Sequence, residues 1–193
     1  MSAVAGRTGT RERLLAAARE LIEEGGYAAA PVVAIAERAG VASGTLYRHF
    51  PSKADLFLEV FRAVCAGEER AMLVAADEAG PSAVDRLDAV LATFARRALQ
   101  NRRLAWALLA EPVDPLLDAE RLAYRERYAS LVAAELRAAI DAGEIPPQDV
   151  SFTAAALVGG CGEALVGPLS SVEESEQVVA SIQTFVRRAI GAS

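Results

Sequence analysis

Hydrophobic residues recur along this chain at the spacing of amphipathic α-helices. Between residues 10 and 24, Leu14, Leu15, Leu21 and Ile22 fall on one side of a helix, as a buried face requires. Glycine and proline positions divide the rest into similar segments, at 31–39, 43–50, 53–78, 83–101, 103–111, 115–142, 147–166 and 172–190. No long run alternates apolar and polar residues as a strand does. The pattern therefore predicts an all-α chain of nine helices.

The second and third predicted helices are short, and the turn between them contains Gly40. Two short helices joined by such a turn are typical of a helix-turn-helix unit. In the third helix Leu46 and Phe50 are four residues apart and share the inner face, so the other side chains point outward. The outward residues are Ser43, Gly44, Thr45, Tyr47, Arg48 and His49.

The chemistry of this outward set suits nucleic acid. Its hydroxyl, phenol, imidazole and guanidinium groups can donate hydrogen bonds to phosphate oxygens or to base edges. Lys53, the first residue of the fourth helix, can reach a second phosphate. His49 is the only histidine, and a single histidine is often structural, but its neighbours favour a phosphate contact. We therefore predict that the outward set and Lys53 contact DNA.

Charge separates a basic N-terminal part from an acidic remainder. Residues 1–53 carry a formal charge of +2 and residues 54–193 carry −8, which gives −6 for the whole chain. Because DNA phosphates repel an acidic surface, this distribution would turn the N-terminal part toward DNA.

Composition limits the remaining classes of protein. Hydrophobic residues make up 53% of the chain, yet no apolar run is long enough to span a membrane. The first ten residues lack the apolar stretch of a secretory signal, so we expect a cytoplasmic protein. Cys65 and Cys161 lie far apart without metal-ligand spacing. Two buried free thiols are the favoured interpretation, and a disulfide or a redox switch is the alternative.

No arrangement typical of an enzyme stands out in the sequence. It contains no recognisable nucleophile–base pairing, no metal-ligand spacing and no phosphate-binding loop. We therefore expect no catalytic activity, no cofactor and no metal ion.

Three stretches of the helix-turn-helix segment resemble the TetR/AcrR (tetracycline-repressor-like) family of bacterial transcriptional regulators. They are residues 36–41 (AERAGV), 44–50 (GTLYRHF) and 52–53 (SK). The resemblance implies a homodimer with a DNA-binding domain at 1–53 and a ligand-binding and dimerisation domain at 54–193. A small molecule bound in the second domain would change the spacing of the two DNA-binding heads.

The resemblance also divides the outward set by role. Its phosphate contacts would be Thr45, Tyr47, His49 and Lys53, and the residues nearest the bases would be Ser43, Gly44 and Arg48.

The chain departs from the family pattern around the second helix. Ala30 and Pro31 stand where Thr or Ser is usual, Val33 and Ala34 replace polar residues, and Ala42 stands where Ser or Glu is common. These changes remove polar contacts to DNA. The resemblance as a whole still predicts a repressor that a small-molecule ligand releases from its operator. The alternative is a small-molecule-binding dimer of the same fold with weak or lost DNA binding.

The second part of the chain contains candidates for a ligand pocket. Such pockets combine apolar walls with a few polar groups, although aromatic residues at helical spacing also serve as plain core. The candidates are Phe94, Trp106, Glu111, Tyr124, Tyr128 and Glu163.

The last two predicted helices favour a dimer interface. The segment 147–166 is apolar nearly all round, so it needs partners on more than one side. Gly159 and Gly160 within it would let another backbone approach closely. We expect the helices at 147–166 and 172–190 to pack against the same pair of a second copy.

Overall fold

The computed structural model describes residues 9–112, 114–169, 171 and 174–192, and every regular element in those ranges is an α-helix. The helices are α1 (Thr10–Gly25), α2 (Val32–Arg38), α3 (Ser43–His49), α4 (Lys53–Glu78), α5 (Ala83–Gln100), α6 (Arg102–Leu109), α7 (Pro115–Asp141), α8 (Val150–Val166) and α9 (Ser175–Ile190). The predicted all-α fold with nine helices is confirmed for this part of the chain.

Helices α1, α2 and α3 form a small head around a core that the start of α4 completes. Leu14, Leu46 and Phe50 are buried there, and burial of side chains of this size stabilises the fold by about 1.5–3 kcal/mol each. Gly40 has a φ of 67°, which turns the chain after α2. The N–H of Val41 then donates to the carbonyl of Ala36 at 2.9 Å. Together these contacts fix the angle between α2 and α3.

Side-chain caps decide where several helices begin. The Ser52 hydroxyl accepts the N–H of Asp55 at 3.1 Å, so α4 begins at Lys53 as predicted. The Asp149 carboxylate accepts the N–H of Phe152 at 2.9 Å, so α8 begins at Val150. The predicted start at residue 147 was therefore three residues too early. The predicted start of the last helix at residue 172 lies outside the described residues.

Helix α5 lies at the centre of the larger part of the molecule, the body, and packs against α4, α7 and α9. Leu87 and Ala95 of α5 have no exposed surface, and Leu136 of α7 and Val186 of α9 join them in the core. Helix α4 packs against α1 at one end and against α5 and α7 further along. The predicted domain boundary falls at the first residue of this shared helix, and it stays a prediction.

Two further features complete the description of the fold. None of the helices in the described ranges is long and apolar enough to cross a membrane. Cys65 and Cys161 are both buried and unpaired, as the sequence predicts.

Candidate nucleic-acid interface and ligand cavity

The outer side of α3 exposes the side chains that the sequence predicts there. Leu46 and Phe50 are buried, whereas Tyr47, Arg48 and His49 are exposed. Tyr47 exposes 55% of its surface, so its ring and hydroxyl are accessible to a partner. The remaining predicted contacts also reach the surface, because Gly44 is exposed and Ser43 and Thr45 are partly exposed. The structure therefore brings these six residues together on one short helix.

Most arginines of the head are held by carboxylates, but Arg48 is not. Arg38 forms a two-pronged pair with Glu24, at 2.5 and 3.0 Å, and Arg11 pairs with Glu59 at 2.7 Å. Within the described residues Arg48 has no carboxylate partner. An exposed guanidinium without an internal partner keeps its five N–H donors for an external acceptor.

Lys53 is only partly exposed, and its ammonium group contacts Tyr27 of the same chain. Its ammonium donates to the carbonyl of Tyr27 at 2.7 Å and lies 3.8 Å from the centre of the Tyr27 ring. Desolvation lowers the pKa of Lys53, and the nearby Glu111 carboxylate opposes that shift. The predicted phosphate contact of Lys53 stays a prediction, and the structure gives this residue a structural role as well.

The start of α2 offers little polar chemistry. Pro31 occupies the cap position without a side-chain hydrogen bond, and Val33 exposes 56% of its surface. Ala30 is buried, so it contributes to the core. Ala42, at the cap of α3, also lacks a capping side chain. Any polar contact to DNA from the helix-turn-helix unit therefore comes mainly from α3.

A second candidate site is a cavity of about 360 Å³, walled by residues of α4 to α8 together with Arg19 of α1. Small-molecule sites in proteins commonly have volumes of this order. Four of the six predicted pocket residues line it, namely Phe94, Tyr124, Tyr128 and Glu163. Whether they contact a ligand stays a prediction.

The polar groups of the cavity wall are mostly occupied by partners within the chain. The hydroxyls of Tyr124 and Tyr128 donate to the carbonyls of Arg62 and Cys65, each at 3.4 Å. Desolvation raises the pKa of both phenols, so they stay protonated at neutral pH. Arg125 also lines the cavity, and no described carboxylate pairs with it. Arg125 is therefore the wall residue best placed to attract a negative charge.

Two predicted pocket residues lie elsewhere. Trp106 exposes 45% of its surface on the outside of α6 and does not line the cavity, because α6 turns its other face inward. Glu111 follows α6, and its carboxylate accepts the backbone N–H groups of Tyr27 and Ala28. Glu111 therefore lies at the junction of head and body.

Sequence reasoning missed Arg121 and Cys65 as wall residues of the cavity. Arg121 donates to the carbonyls of Ala107 and Leu108 at 2.8 and 2.7 Å, which holds the end of α6 against α7. No sequence pattern signals an arginine that binds carbonyls of another helix. Cys65 was expected to be buried, but nothing in its neighbours indicates that it borders a cavity.

The outer sides of α8 and α9 expose small and apolar residues. Phe152 exposes 73% of its surface and Phe185 exposes 53%. The same two helices expose the polar residues Gln177, Thr184 and Arg188, and also small residues, which are Ala155, Ala156, Gly159, Gly160, Ala180, Ser181 and Ala189. A Cβ atom added at Gly160 would meet nothing within 4 Å in this chain. An apolar surface of this kind is typical of a protein interface.

Comparison with known proteins accounts for both parts of the molecule. Residues 14–60 match the family described as bacterial regulatory proteins, tetR family. Residues 80–165 match the tetracyclin repressor-like C-terminal domain. The HTH-type transcriptional regulator UidR of Escherichia coli is 31% identical over 140 residues, which cover 72% of this chain and 70% of UidR. The chain belongs to the tetR family of bacterial regulatory proteins. It is thus grouped with transcriptional regulators and not with enzymes, as predicted.

Two other proteins extend the comparison of this tetR family chain. The HTH-type transcriptional repressor KstR of Mycolicibacterium smegmatis is 37% identical over 102 residues, which cover 51% of this chain. The chain spans about half the length of this relative, 48%. The crystal structure of FadR from Bacillus subtilis in complex with stearoyl-CoA has a TM-score of 0.78 and 24% identity, covering 92% of this chain and 98% of FadR. That likeness shows a shared fold.

The described residues contain no group of three or more metal-binding side chains. The candidate sites are therefore the outer side of α3 and the cavity, with the outer sides of α8 and α9 as a candidate interface.

Proposed function

We propose that this chain is a homodimeric transcriptional repressor that binds operator DNA with α3 and releases it when a small molecule occupies the cavity. The observation that carries the proposal is the outer side of α3, where Tyr47 is exposed and Arg48 pairs with no described carboxylate. Membership of the tetR family supports it, as do the regulators KstR and UidR among its relatives. Because DNA is its target, we expect it to act in the cytoplasm.

In this proposal α3 enters the major groove, which is wide enough to admit an α-helix. Arg48 would read a guanine through two parallel hydrogen bonds, the commonest specific contact of arginine with DNA. Tyr47, His49 and Thr45 would donate to phosphates on either side. Lys53 has three N–H donors and uses one on Tyr27, so it retains donors for a phosphate.

Two copies would bind one operator. We propose that α8 and α9 pair with the same helices of a second copy, since they expose apolar surface that the single chain leaves uncovered. Two heads related by a two-fold axis read half-sites one or more helical turns apart. Any change in the spacing of the heads then lowers the affinity for such a site.

We propose an effector with a long apolar part and a negatively charged end. The cavity supplies apolar walls such as Phe61, Val64 and Leu108, together with Arg125, a cation that pairs with no described carboxylate. The stearoyl-CoA bound to FadR of Bacillus subtilis has this chemistry, and it supports the same class of ligand here.

The DNA-binding half of the proposal is tested by selecting binding sites from random DNA and measuring affinity by fluorescence anisotropy. Arg48→Ala should weaken binding to the selected site by roughly 5- to 150-fold, because a good bidentate contact to a base contributes about 1–3 kcal/mol of discrimination. Arg70→Ala is the matched control, because Arg70 is exposed on α4 and distant in sequence from α3. A dimer that enriches no sequence at low salt contradicts the proposal.

The effector half is tested with stearoyl-CoA as the probe. It should displace the wild-type protein from its selected site, and Arg125→Ala should require a higher concentration. Arg137→Ala, on the same helix and exposed but away from the cavity wall, should respond as wild type does. Equal responses of the two variants would contradict the role given to Arg125.

A second function is favoured by the start of α2, where Pro31 and Val33 expose apolar surface. It is a small-molecule-binding dimer of the same fold with weak or lost DNA binding. Binding of stearoyl-CoA by a dimer that enriches no DNA sequence would favour this function over the first.

A further inference from the structure

Glu111 connects the body to the head through hydrogen bonds to the turn between α1 and α2. Its Oε2 accepts the N–H of Tyr27 at 2.9 Å, and its Oε1 accepts the N–H of Ala28 at 3.3 Å. Hydrogen bonds to an ionised acceptor are roughly twice as strong as neutral ones. One carboxylate of the body therefore holds two consecutive backbone groups of the head.

The turn itself is shaped to receive this carboxylate. Gly26 has a φ of 82° and a ψ of −178°, a conformation that is essentially restricted to glycine. A Cβ atom at Gly26 would lie 3.0 and 3.2 Å from the two carboxylate oxygens of Glu111. Glycine at this position thus permits both the turn and the approach of Glu111.

The same turn is held from the opposite direction by Lys53. The Tyr27 carbonyl accepts from the Lys53 ammonium at 2.7 Å, and the Tyr27 ring packs edge-on against Phe57 at 4.7 Å between centroids. Both contacts come from the first turns of α4. Tyr27 is therefore fixed between Glu111 and the helix that follows the DNA-binding unit.

The backbone of Glu111 is anchored to the cavity wall. The Arg121 guanidinium donates to the Glu111 carbonyl at 2.7 Å and to the Leu108 carbonyl at 2.7 Å. Arg121 and Leu108 both line the cavity. A shift of α6 caused by a molecule in the cavity would therefore move the residue that holds the head.

We propose that Glu111 is a positioning residue that fixes the orientation of the head on the body and links it to the cavity wall. Its regulatory consequence rests on the proposed function, because the orientation of the head matters for a two-headed operator complex. The positional role itself requires neither DNA nor an effector.

The test measures the distance between head and body by double electron–electron resonance in the full-length protein. Spin labels are placed at Glu37→Cys on α2 and Arg137→Cys on α7, both exposed sites, with labelled chains diluted into excess unlabelled protein. The native thiols react slowly with the label, because burial raises the pKa of Cys65 to about 12 and that of Cys161 to about 11.

We expect a single narrow distance in the wild type and a broadened or shifted distribution in Glu111→Ala. Glu111→Gln, which keeps one acceptor oxygen, should fall between the two. Glu120→Ala is the matched control, since Glu120 pairs with Arg62 inside the body at 2.8 Å, and it should keep the narrow distance. An unchanged distance in Glu111→Ala overturns the proposal, as does the same broadening in Glu120→Ala.

Two further measurements separate this role from general destabilisation and from the proposed function. Circular dichroism and thermal unfolding identify any variant that fails to fold, and Glu111→Gln then decides the outcome. Affinity for the selected DNA is measured in parallel. If Glu111→Ala broadens the distance but the wild-type protein binds no DNA, the proposed function alone is overturned. If the wild type binds DNA and Glu111→Ala leaves the distance unchanged, the role of Glu111 alone is overturned.

Discussion

The outer side of α3 and the outer sides of α8 and α9 are both exposed in the described part of the chain, but their chemistry differs. Helix α3 exposes a phenol, a guanidinium and an imidazole at Tyr47, Arg48 and His49. Helices α8 and α9 expose Phe152, Phe185 and several alanines and glycines, together with polar residues of α9 such as Gln177 and Arg188. A polar surface whose arginine pairs with no described carboxylate suits a phosphate-rich partner, whereas exposed phenylalanines among small residues suit a second protein surface.

The two regions also share a feature, a glycine inside a helix that no contact within the chain explains. A Cβ atom at Gly44 of α3 or at Gly160 of α8 would meet nothing within 4 Å. Glycine in the middle of a helix costs about 0.5–1 kcal/mol relative to alanine. A side chain would fit within the chain at both positions, so we expect substitution to matter only where a partner approaches the glycine.

The largest effect is expected from a substitution on the outer side of α8, within the candidate dimer interface. Gly160→Leu should weaken the dimer by at least about 2 kcal/mol, or about 30-fold in Kd, because a side chain would separate closely packed backbones. Sedimentation equilibrium measures this dissociation constant. Gly67→Leu on α4 is the control, since a Cβ there also meets nothing in the chain. Equal dissociation constants for the Gly160→Leu and Gly67→Leu dimers would argue against the interface at α8 and α9.

A smaller effect is expected on the polar surface. Gly44→Ala should raise the thermal stability slightly through helix propensity, yet lower the affinity for DNA by about 1 kcal/mol, or about fivefold. Gly67→Ala should give a comparable gain in stability and leave DNA binding unchanged. Calorimetry and fluorescence anisotropy measure the two quantities. If Gly44→Ala binds DNA as tightly as Gly67→Ala does, no close approach occurs at Gly44.

The smallest effect concerns the inner side of α9, which holds the apolar surface in place. Asp88 of α5 is 5% exposed and pairs with Arg187 of α9. Desolvation raises the pKa of Asp88 above the ordinary 3.8, and Arg187 opposes the shift. As the pH falls, Asp88 is therefore protonated in the folded chain before it is protonated in the unfolded chain. Protonation of Asp88 thus raises the free energy of unfolding at low pH, and this contribution is lost as the pH rises through the raised pKa.

Asp88→Asn removes that contribution, so its stability should fall more steeply than that of wild type between neutral pH and about 3.8. The difference should be on the order of 1 kcal/mol or less. Urea unfolding at a series of pH values measures it. Asp85→Asn removes the exposed partner of the same arginine and only a minor cause of the raised pKa of Asp88, so it should change the slope much less than Asp88→Asn does. If the free energy of unfolding of the wild type and that of Asp88→Asn depend on pH in the same way, the stabilising role given to Asp88 protonation is wrong.

The fold was largely predictable because helix periodicity and helix boundaries are local properties. Helix α4 begins and ends where predicted, since Ser52 caps one end and the sequence at 80–81 breaks the other. Helix α8 begins later than predicted because two candidate starts lie close together, and the Asp149 cap outweighs the prolines. Such a competition depends on side-chain geometry that a sequence pattern does not contain.

The candidate sites were predictable to different degrees for a physical reason. The outward residues of α3 follow from the period of one helix, so all six appear together. The cavity needs residues from six helices, and Trp106 and Glu111 lie outside its wall because their orientation depends on how α6 packs. The carbonyl contacts of Arg121 depend on packing in the same way.

Trp106 offers an optical consequence of that same packing. It is the only tryptophan of the chain, and it lies half-exposed on α6, whose other face borders the cavity. Indole emission depends on the polarity around the ring, so the fluorescence of the unmodified protein comes from the helix between cavity and head. A shift in emission wavelength when a molecule enters the cavity would show displacement of α6 directly, without labels or DNA.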